Sequence, residues 1–169
     1  MNPALHSSKD HTWQTPDEVL ERVRQLGRIS LDPCTTKANP TNAAAFCATR
    51  GRGLSWHASA IGDGPCFVNP PYGRDLPLWV DKAIEEAAHG LEIILLVPAR
   101  TDTQWFDRAL HSSQALALWR GRITFKGADA GAPFPSALFY WGRRRWDFAR
   151  AFRDAANVNV HGSWTGRQT

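Results

Sequence analysis

Five consecutive aliphatic residues, Ile93 to Val97, place the strongest constraint on how this chain folds. Such a run fits a β-strand that is buried on both faces, as in the centre of a parallel sheet with helices on either side. It is far too short for a membrane-spanning helix, which needs about 18 to 20 apolar residues. The run therefore predicts an α/β protein with a central strand at residues 92–97.

Helical and strand patterns alternate around this run. Helices are predicted at about residues 16–26 and 78–89, and a third is expected to follow an N-cap at Asp102. Strands are predicted at residues 28–32, 66–68, 115–119, 121–125 and 136–141. The last two flank a Gly/Pro-rich loop, as in an antiparallel hairpin, and residues 35–64 predict only loops and short elements. This order predicts a mostly parallel sheet with a C-terminal antiparallel hairpin.

The first helix carries a strong start signal. Thr15 fits the N-cap, Pro16 the first helical position, and Glu18 completes a capping box three residues after the cap. The pattern therefore predicts that the Thr15 hydroxyl caps this helix.

Length and charge bound the class of protein. The 169 residues predict one domain over residues 1–156 and a polar tail, expected to be disordered, over 157–169. Three cysteines without a C-x-x-C pair and no signal-peptide pattern favour a cytoplasmic protein. The net charge of +4 lies entirely after residue 140, where six arginines face two aspartates. This patch suits a nucleic acid, although a solvated helix face explains it equally well.

Two polar motifs follow predicted strands. Asp32-Pro33-Cys34 ends the first strand, and Asn69-Pro70-Pro71-Tyr72 ends the second. Because parallel sheets bind ligands beyond the carboxyl ends of their strands, we expect both motifs on one rim of the sheet.

The Asn69 to Tyr72 motif suits chemistry on a planar exocyclic amine. The lone pair of the adenine amine is delocalised into the ring, so the amine is a poor nucleophile. The Asn69 side-chain carbonyl and the Pro70 backbone carbonyl can accept its two hydrogens and free that lone pair. Tyr72 offers a ring for base stacking, worth about 1 to 3 kcal/mol. The alternative is a plain Asn-Pro turn with Tyr72 packed on the surface.

From about His11 to Trp141, the chain resembles the small phage-encoded DNA N6-adenine methyltransferases, relatives of Dam that depend on S-adenosyl-L-methionine. The resemblance lies in the order and spacing of several stretches, which include Trp13-Gln14-Thr15-Pro16, Leu31-Asp32-Pro33-Cys34, Phe67-Val68-Asn69-Pro70-Pro71-Tyr72-Gly73, residues 79–83, residues 97–106, residues 121–125 and residues 132–137. It implies a Rossmann-like class I methyltransferase sheet, abbreviated in its adenosine-binding half.

The resemblance also implies roles for individual residues. The catalytic group is Asn69, Pro70, Pro71 and Tyr72, and the cofactor-binding group is Trp13, Thr15, Pro16, Asp32, Pro33 and Cys34. Thr15 and Pro16 would hold the cofactor's carboxylate at a helix N-terminus. Asp32 would pair with the cofactor's ammonium or, through water, with its carboxylate end. The plainer readings are a helix cap for Thr15, a turn residue for Asp32 and a packing residue for Cys34. The acid expected at position 52 for the ribose hydroxyls is replaced by Arg52, so either Asp63 or backbone groups bind these hydroxyls, or the affinity for the cofactor is weak.

At 169 residues, we expect no separate DNA-recognition domain in this chain. Candidates for contacts with the DNA are Arg74, Arg100, Arg122 and Phe134, although each arginine is as well explained as surface charge. A base inside a duplex cannot reach the methyl donor, so the target adenine must be flipped out or single-stranded.

Other functions stay open at this stage. The same motif suits methylation of cytosine N4, an RNA adenine or a protein glutamine, and the fold could also serve as a non-catalytic DNA-binding module. Because His57, His89 and His111 show no ligand spacing with acids or cysteines, no metal is expected, and Glu85-Glu86 is interpreted as a solvated helix face.

Overall fold

The computed structural model describes residues 13–48 and 63–161. The helices in these residues are α1 (Asp17–Arg24), α2 (Leu76–Ala88), α3 (Gln104–Ser112) and α4 (Arg145–Phe152). The strands are β1 (Leu31–Asp32), β2 (Ala45–Phe46), β3 (Cys66–Val68), β4 (Ile93–Pro98), β5 (Ala115–Trp119), β6 (Ser136–Trp141) and β7 (Ala156–Val160).

The strands form one mixed sheet in the order β2-β1-β3-β4-β6-β5-β7. The pairs from β2 to β4 are parallel, whereas β6 is antiparallel to β4 and β5, and β7 is antiparallel to β5. Five strands therefore point one way and β6 and β7 the other. The predicted α/β class is confirmed, with a sheet that is parallel in its first part.

The central strand β4 is buried along its whole length because helices cover both faces of the sheet. Ile94 and Leu96 face a core that contains residues of α1 and α4. Ile93, Leu95 and Val97 face a second core, which contains residues of α2 and α3. This arrangement confirms the interpretation of the aliphatic run as a central strand.

The predicted strand at residues 121–125 is wrong. Strand β6 pairs antiparallel with β4 and β5, and both edges of β5 are already occupied by β6 and β7. After Trp119 the chain turns at Gly121, whose φ is +74°, and buries Ile123 and Phe125 without joining the sheet. The segment is held by isolated bonds instead, such as that from the Lys126 N–H to the Gln14 carbonyl, 2.9 Å.

The C-terminal part contains α4 and β7, which the sequence analysis did not predict. Phe148, Ala151 and Phe152 lie one helical turn apart and bury the inner face of α4. Strand β7 extends through Val160 along the full length of β5, past residue 156, where the polar tail was expected to begin. Residues 157–160 thus belong to the sheet, and 162–169 lie outside the described residues.

The helix starts also differ from the predictions. The N-cap of α1 is Pro16, in an extended conformation, and no side chain caps the helix, so Thr15 is not the cap. The N-cap of α3 is Thr103 rather than Asp102. None of the helices in the described part of the chain is long and apolar enough to cross a membrane.

Candidate functional site

The two polar motifs meet at the carboxyl ends of β1 and β3. Both strands run in the same direction, so Asp32 and Asn69 lie at the same edge of the sheet, as predicted. A pocket of about 40 Å³ lies between them, a volume in which a few water molecules or one small polar group fit. Its lining contains the candidate residues Trp13, Thr15, Asp32, Cys34, Asn69, Pro70 and Pro71.

Asn69 is held by hydrogen bonds at both ends of its amide. Its Nδ2 donates to the Trp13 carbonyl oxygen, 2.6 Å, and to Thr15 Oγ1, 2.9 Å. Its Oδ1 accepts a hydrogen bond from the Tyr72 hydroxyl, 2.7 Å. The segment before α1 is therefore fastened to the end of β3, and the hydroxyl predicted to cap a helix binds the candidate catalytic amide instead.

Tyr72 lies in an aromatic cluster with Trp13, Phe125 and Phe134. Its ring makes edge contacts with Phe125 and Phe134, with ring centroids 6.2 and 5.4 Å apart. Trp13 contacts the same two rings, at 5.2 and 5.8 Å. Burial raises the pKa of the Tyr72 hydroxyl well above its ordinary value, so it stays protonated and donates. Phe134, a candidate for contact with DNA, is thus half-buried in this cluster.

Asp32 is a buried carboxylate with hydrogen-bond donors on both oxygens. Oδ1 accepts from the Cys34 N–H, 3.1 Å, and Oδ2 from the Thr41 hydroxyl, 2.7 Å. Burial raises the pKa of Asp32 above its ordinary value, although these hydrogen bonds oppose the shift. No Lys, Arg or His of the described residues lies within ion-pair distance of it. A buried anion without a cation suits a positively charged ligand group.

Sequence reasoning missed Thr41, the buried partner of Asp32. Thr41 also lies 3.2 Å from Asn39 Oδ1, and Asn39 adopts a left-handed backbone conformation with φ +46°. The Asn39 side chain bonds the backbone of Ala43 in both directions, which closes this loop. Asn39-Pro40 was visible in the sequence as a turn signal, but nothing there indicated a bond to Asp32.

Of the remaining predicted residues, Cys34 and Pro70 line the pocket, whereas Pro16 and Pro33 do not. Pro70 is buried against the pocket, and among the described residues its carbonyl oxygen has no donor. Burial raises the pKa of the Cys34 thiol, which keeps it protonated and supports a packing role. Pro16 and Pro33 do not line the pocket: Pro16 begins α1, and Pro33 is buried behind Asp32.

Arg74, Arg100 and Arg122 are exposed at this same rim. They follow the Asn69 to Tyr72 segment, β4 and β5, whose carboxyl ends share one edge of the sheet. None has a carboxylate partner among the described residues. The Ala99 N–H donates to the Pro135 carbonyl, 2.8 Å, which ties the Arg100 loop to the segment that carries Phe134.

The basic C-terminal patch, in contrast, begins at the opposite edge. Arg143 and Arg144 follow β6 there and line a cavity of about 770 Å³ that lies away from Asp32 and Asn69. Arg144 pairs with Glu92 and donates to the Asp63 carbonyl, and Arg150 pairs with Asp147. Asp63, a candidate for binding the ribose hydroxyls, lines this cavity and does not line the pocket beside Asp32 and Asn69. Position 52 lies outside the described residues.

The prediction that Glu85-Glu86 is a solvated helix face is wrong for Glu86. It is 2% exposed and pairs with Lys82 Nζ at 2.6 Å. Ligand atoms of Glu85, Glu86 and His89 also lie within 4.8 Å of one another, so His89 does have acids at ligand spacing. Lys82 contacts both carboxylates, which accounts for their proximity.

Comparison with known proteins shows the family to which the chain belongs. The pattern that defines DNA N-6-adenine-methyltransferases (Dam) matches residues 3–137, most of the chain. This chain belongs to the Dam family. The match covers Thr15, Asp32 and Asn69, the residues that share the pocket.

Two phage relatives of the Dam family share similar stretches. The DNA N-6-adenine-methyltransferase of Escherichia phage T1 is 29% identical over 113 residues, which cover 63% of this chain and 43% of the phage protein. That of Haemophilus phage HP1 is 26% identical over 130 residues, which cover 74% of this chain and 71% of the phage protein. The chain thus aligns with less than half of the T1 protein and with most of the HP1 protein.

Proposed function

We propose that this Dam-family protein transfers a methyl group from S-adenosyl-L-methionine to the N6 amine of adenine in DNA. The observation that carries the proposal is a pocket shared by two groups: Asp32, a buried carboxylate with no Lys, Arg or His partner in the described part of the chain, and Asn69, a fixed amide. The first suits the amino-acid end of the cofactor, and the second suits a planar amine.

The residues present fit the amino-acid end of this cofactor. Asp32 offers a carboxylate for the ammonium, and Thr15 lies in the same pocket with a hydroxyl for the carboxylate. Trp13 and Cys34 complete the wall, while Pro33 and Pro16 fix the backbone around it. The cofactor supplies an activated methyl group on a sulfonium when it is bound.

Asn69 and Pro70 prepare the amine for attack. The Asn69 side-chain oxygen and the Pro70 carbonyl accept the two N–H hydrogens, which pulls the nitrogen toward tetrahedral geometry and frees its lone pair. Both acceptors are held rigidly, Asn69 by three hydrogen bonds and Pro70 by its ring. Catalysis would then rest on positioning and electrostatics, with no strong base needed before attack. N6 would gain the methyl group as the sulfonium loses it and becomes a thioether, and N6 would release one proton after the transfer.

The rim around the site supports DNA as the substrate. Arg74, Arg100 and Arg122 are exposed cations without carboxylate partners among the described residues, and Arg fits phosphates and guanine edges. The ring of Tyr72, which makes an edge contact with Phe134, provides an aromatic face for a base that is flipped out or single-stranded. We infer that the domain contacts DNA through these loops and that it acts in the cytoplasm.

The strand directions support a Rossmann-like class I methyltransferase sheet. Five strands run in one direction, and the antiparallel β6 inserts between β4 and β5. In the described residues, only the two-residue strands β1 and β2 lie beyond β3 in this half of the sheet. This agrees with the expectation that the adenosine-binding half of the sheet is abbreviated.

A methyl-acceptor assay tests this function. The protein is incubated with tritiated S-adenosylmethionine and either unmethylated plasmid DNA, RNA or a protein extract, and the products are hydrolysed and separated. We expect label only in N6-methyldeoxyadenosine. Label in cytosine, RNA adenine or glutamine would replace the substrate, and no label together with no cofactor binding by calorimetry would favour a non-catalytic module.

A further inference from the structure

We propose that Thr15 is a positioning residue that couples the cofactor half of the pocket to the amide that receives the target base. The inference rests on the proposed function and adds to it. Thr15 Oγ1 accepts a hydrogen bond from Asn69 Nδ2, and Thr15 lines the same pocket as Asp32. One hydroxyl thus lies between the two halves of the site.

The orientation of the Asn69 amide is fixed by its partners. The Trp13 carbonyl, 2.6 Å away, can only accept a hydrogen bond, so the amide nitrogen must face it. A flipped amide would bring two carbonyl oxygens together. The two N–H hydrogens are therefore used by Trp13 and Thr15, and the Asn69 oxygen points to Tyr72 and the proposed base site.

The hydrogen of the Thr15 hydroxyl has no acceptor among the described residues. Thr15 is 6% exposed, and its hydroxyl oxygen accepts a hydrogen bond from Asn69. A buried donor without an acceptor is costly, which points to a ligand acceptor in the pocket. Beside the Asp32 carboxylate, this pair of groups matches a ligand with an ammonium and a carboxylate on one carbon.

Such a ligand would strengthen the bond to Asn69. A carboxylate that accepts the Thr15 hydrogen fixes the hydroxyl and aims its lone pair at Asn69 Nδ2, and hydrogen bonds in a chain reinforce one another. Binding energies are reciprocal, so an amide ordered by the cofactor favours the base, and a bound base favours the cofactor.

The test compares Thr15→Val, which loses the hydroxyl at nearly constant volume, with Thr15→Ser, which keeps it. The probe is S-adenosylhomocysteine, and the readouts are its affinity by calorimetry and the side-chain amide resonances of Asn69 by NMR, assigned with Asn69→Ala. Saturating S-adenosylhomocysteine is expected to shift these resonances in the wild type and in Thr15→Ser but not in Thr15→Val. Thr15→Val should also weaken binding roughly tenfold to hundredfold, the range of a hydrogen bond to a charged group.

The outcomes separate this inference from the proposed function. If Thr15→Val binds as tightly as the wild type and shows the same Asn69 shift, the coupling is overturned while the function stands. If the wild type does not bind S-adenosylhomocysteine, the proposed function fails first. Thermal melting of each variant shows whether it is folded. If Thr15→Val is unfolded, the test uses Thr15→Ser. Wild-type affinity of Thr15→Ser for S-adenosylhomocysteine without a shift of the Asn69 resonances would also overturn the coupling.

Discussion

The Tyr72 hydroxyl donates a hydrogen bond to the Asn69 side-chain oxygen over 2.7 Å. This oxygen is the atom proposed to accept the adenine amine. A carbonyl oxygen has two lone pairs, so the phenol can orient Asn69 and leave one acceptor position for the substrate. The hydroxyl and the ring of Tyr72 therefore have separable roles.

Substitution of Tyr72 separates these roles. Tyr72→Phe removes the bond but keeps the ring, and Asn69 remains held by Trp13 and Thr15. We expect kcat/KM for DNA to stay within about threefold in Tyr72→Phe. Tyr72→Ala should lose roughly 5-fold to 150-fold, the equivalent of about 1 to 3 kcal/mol of stacking. Equal losses in both variants would assign the effect to the hydroxyl and argue against stacking.

Asp32 predicts a pH dependence of cofactor affinity. Burial raises its pKa, so as the pH falls from neutral the carboxylate gains a proton earlier than an exposed aspartate does. The charge that attracts the ammonium is then lost, and the affinity for S-adenosylmethionine is expected to fall. Calorimetry over a pH series measures this, and Asp32→Asn should bind weakly throughout, without that drop.

The contribution of Asp32 to the free energy of unfolding changes with pH in the direction opposite to the change in cofactor affinity. Because its pKa is higher in the folded protein than in the unfolded chain, the folded state holds the proton more tightly. This contribution is full below the unfolded pKa and is lost as the pH rises through the folded pKa. Affinity and this share of stability should therefore change in opposite directions. A parallel fall of both with acidification would contradict the assignment of Asp32.

The exposed arginines at the rim predict a salt-dependent contact with DNA. Arg74→Ala, Arg100→Ala and Arg122→Ala should each weaken DNA binding. Where the arginine contacts a phosphate, the slope of log Kd against log salt should decrease by about 1. The matched control is Arg143→Ala, an exposed arginine at the opposite edge. If Arg143→Ala had the larger effect, DNA would bind the far edge.

A partly buried network at that far edge is expected to stabilise the fold without a role in the reaction. Tyr140 donates to Glu92 and accepts the Arg144 N–H at 2.7 Å, and Arg144 pairs with Glu92. Tyr140→Phe leaves the Glu92 oxygen and the Arg144 N–H without this partner, at a cost of about 1 to 3 kcal/mol. Denaturant unfolding should show this loss while methyl transfer at low temperature is unchanged. A specific loss of transfer would connect this edge to the site.

The meeting of Asp32 and Asn69 was predictable because it needs only two parallel strands and the rule that ligands bind at their carboxyl ends. The hydrogen bond between Asn69 and Thr15 was not predictable. The position of Thr15 before Pro16 and Glu18 is indistinguishable in sequence from a helix cap, and only the approach of β3 brings Asn69 to its hydroxyl. Thr41 reaches Asp32 through a loop with a left-handed Asn39, which no periodicity reveals.

The last strand was predictable in principle. Ala156, Val158 and Val160 alternate with Asn157 and Asn159, the pattern of a strand with one buried face. The arginines before these residues give the segment the composition of a charged surface, which hides the alternation. The prediction of a strand at 121–125 was wrong for another reason. Its apolar residues are buried, but both edges of β5 are already paired.

Asn69→Ala tests the central claim most directly. The substitution removes the side-chain acceptor while Asp32 and Thr41 stay in place. The measurement is single-turnover methyl transfer to plasmid DNA, with S-adenosylmethionine affinity determined on the same sample by calorimetry. We predict that N6-methyldeoxyadenosine formation is lost and that cofactor affinity stays within a few-fold of the wild type. Transfer at the wild-type rate in this variant would contradict the account.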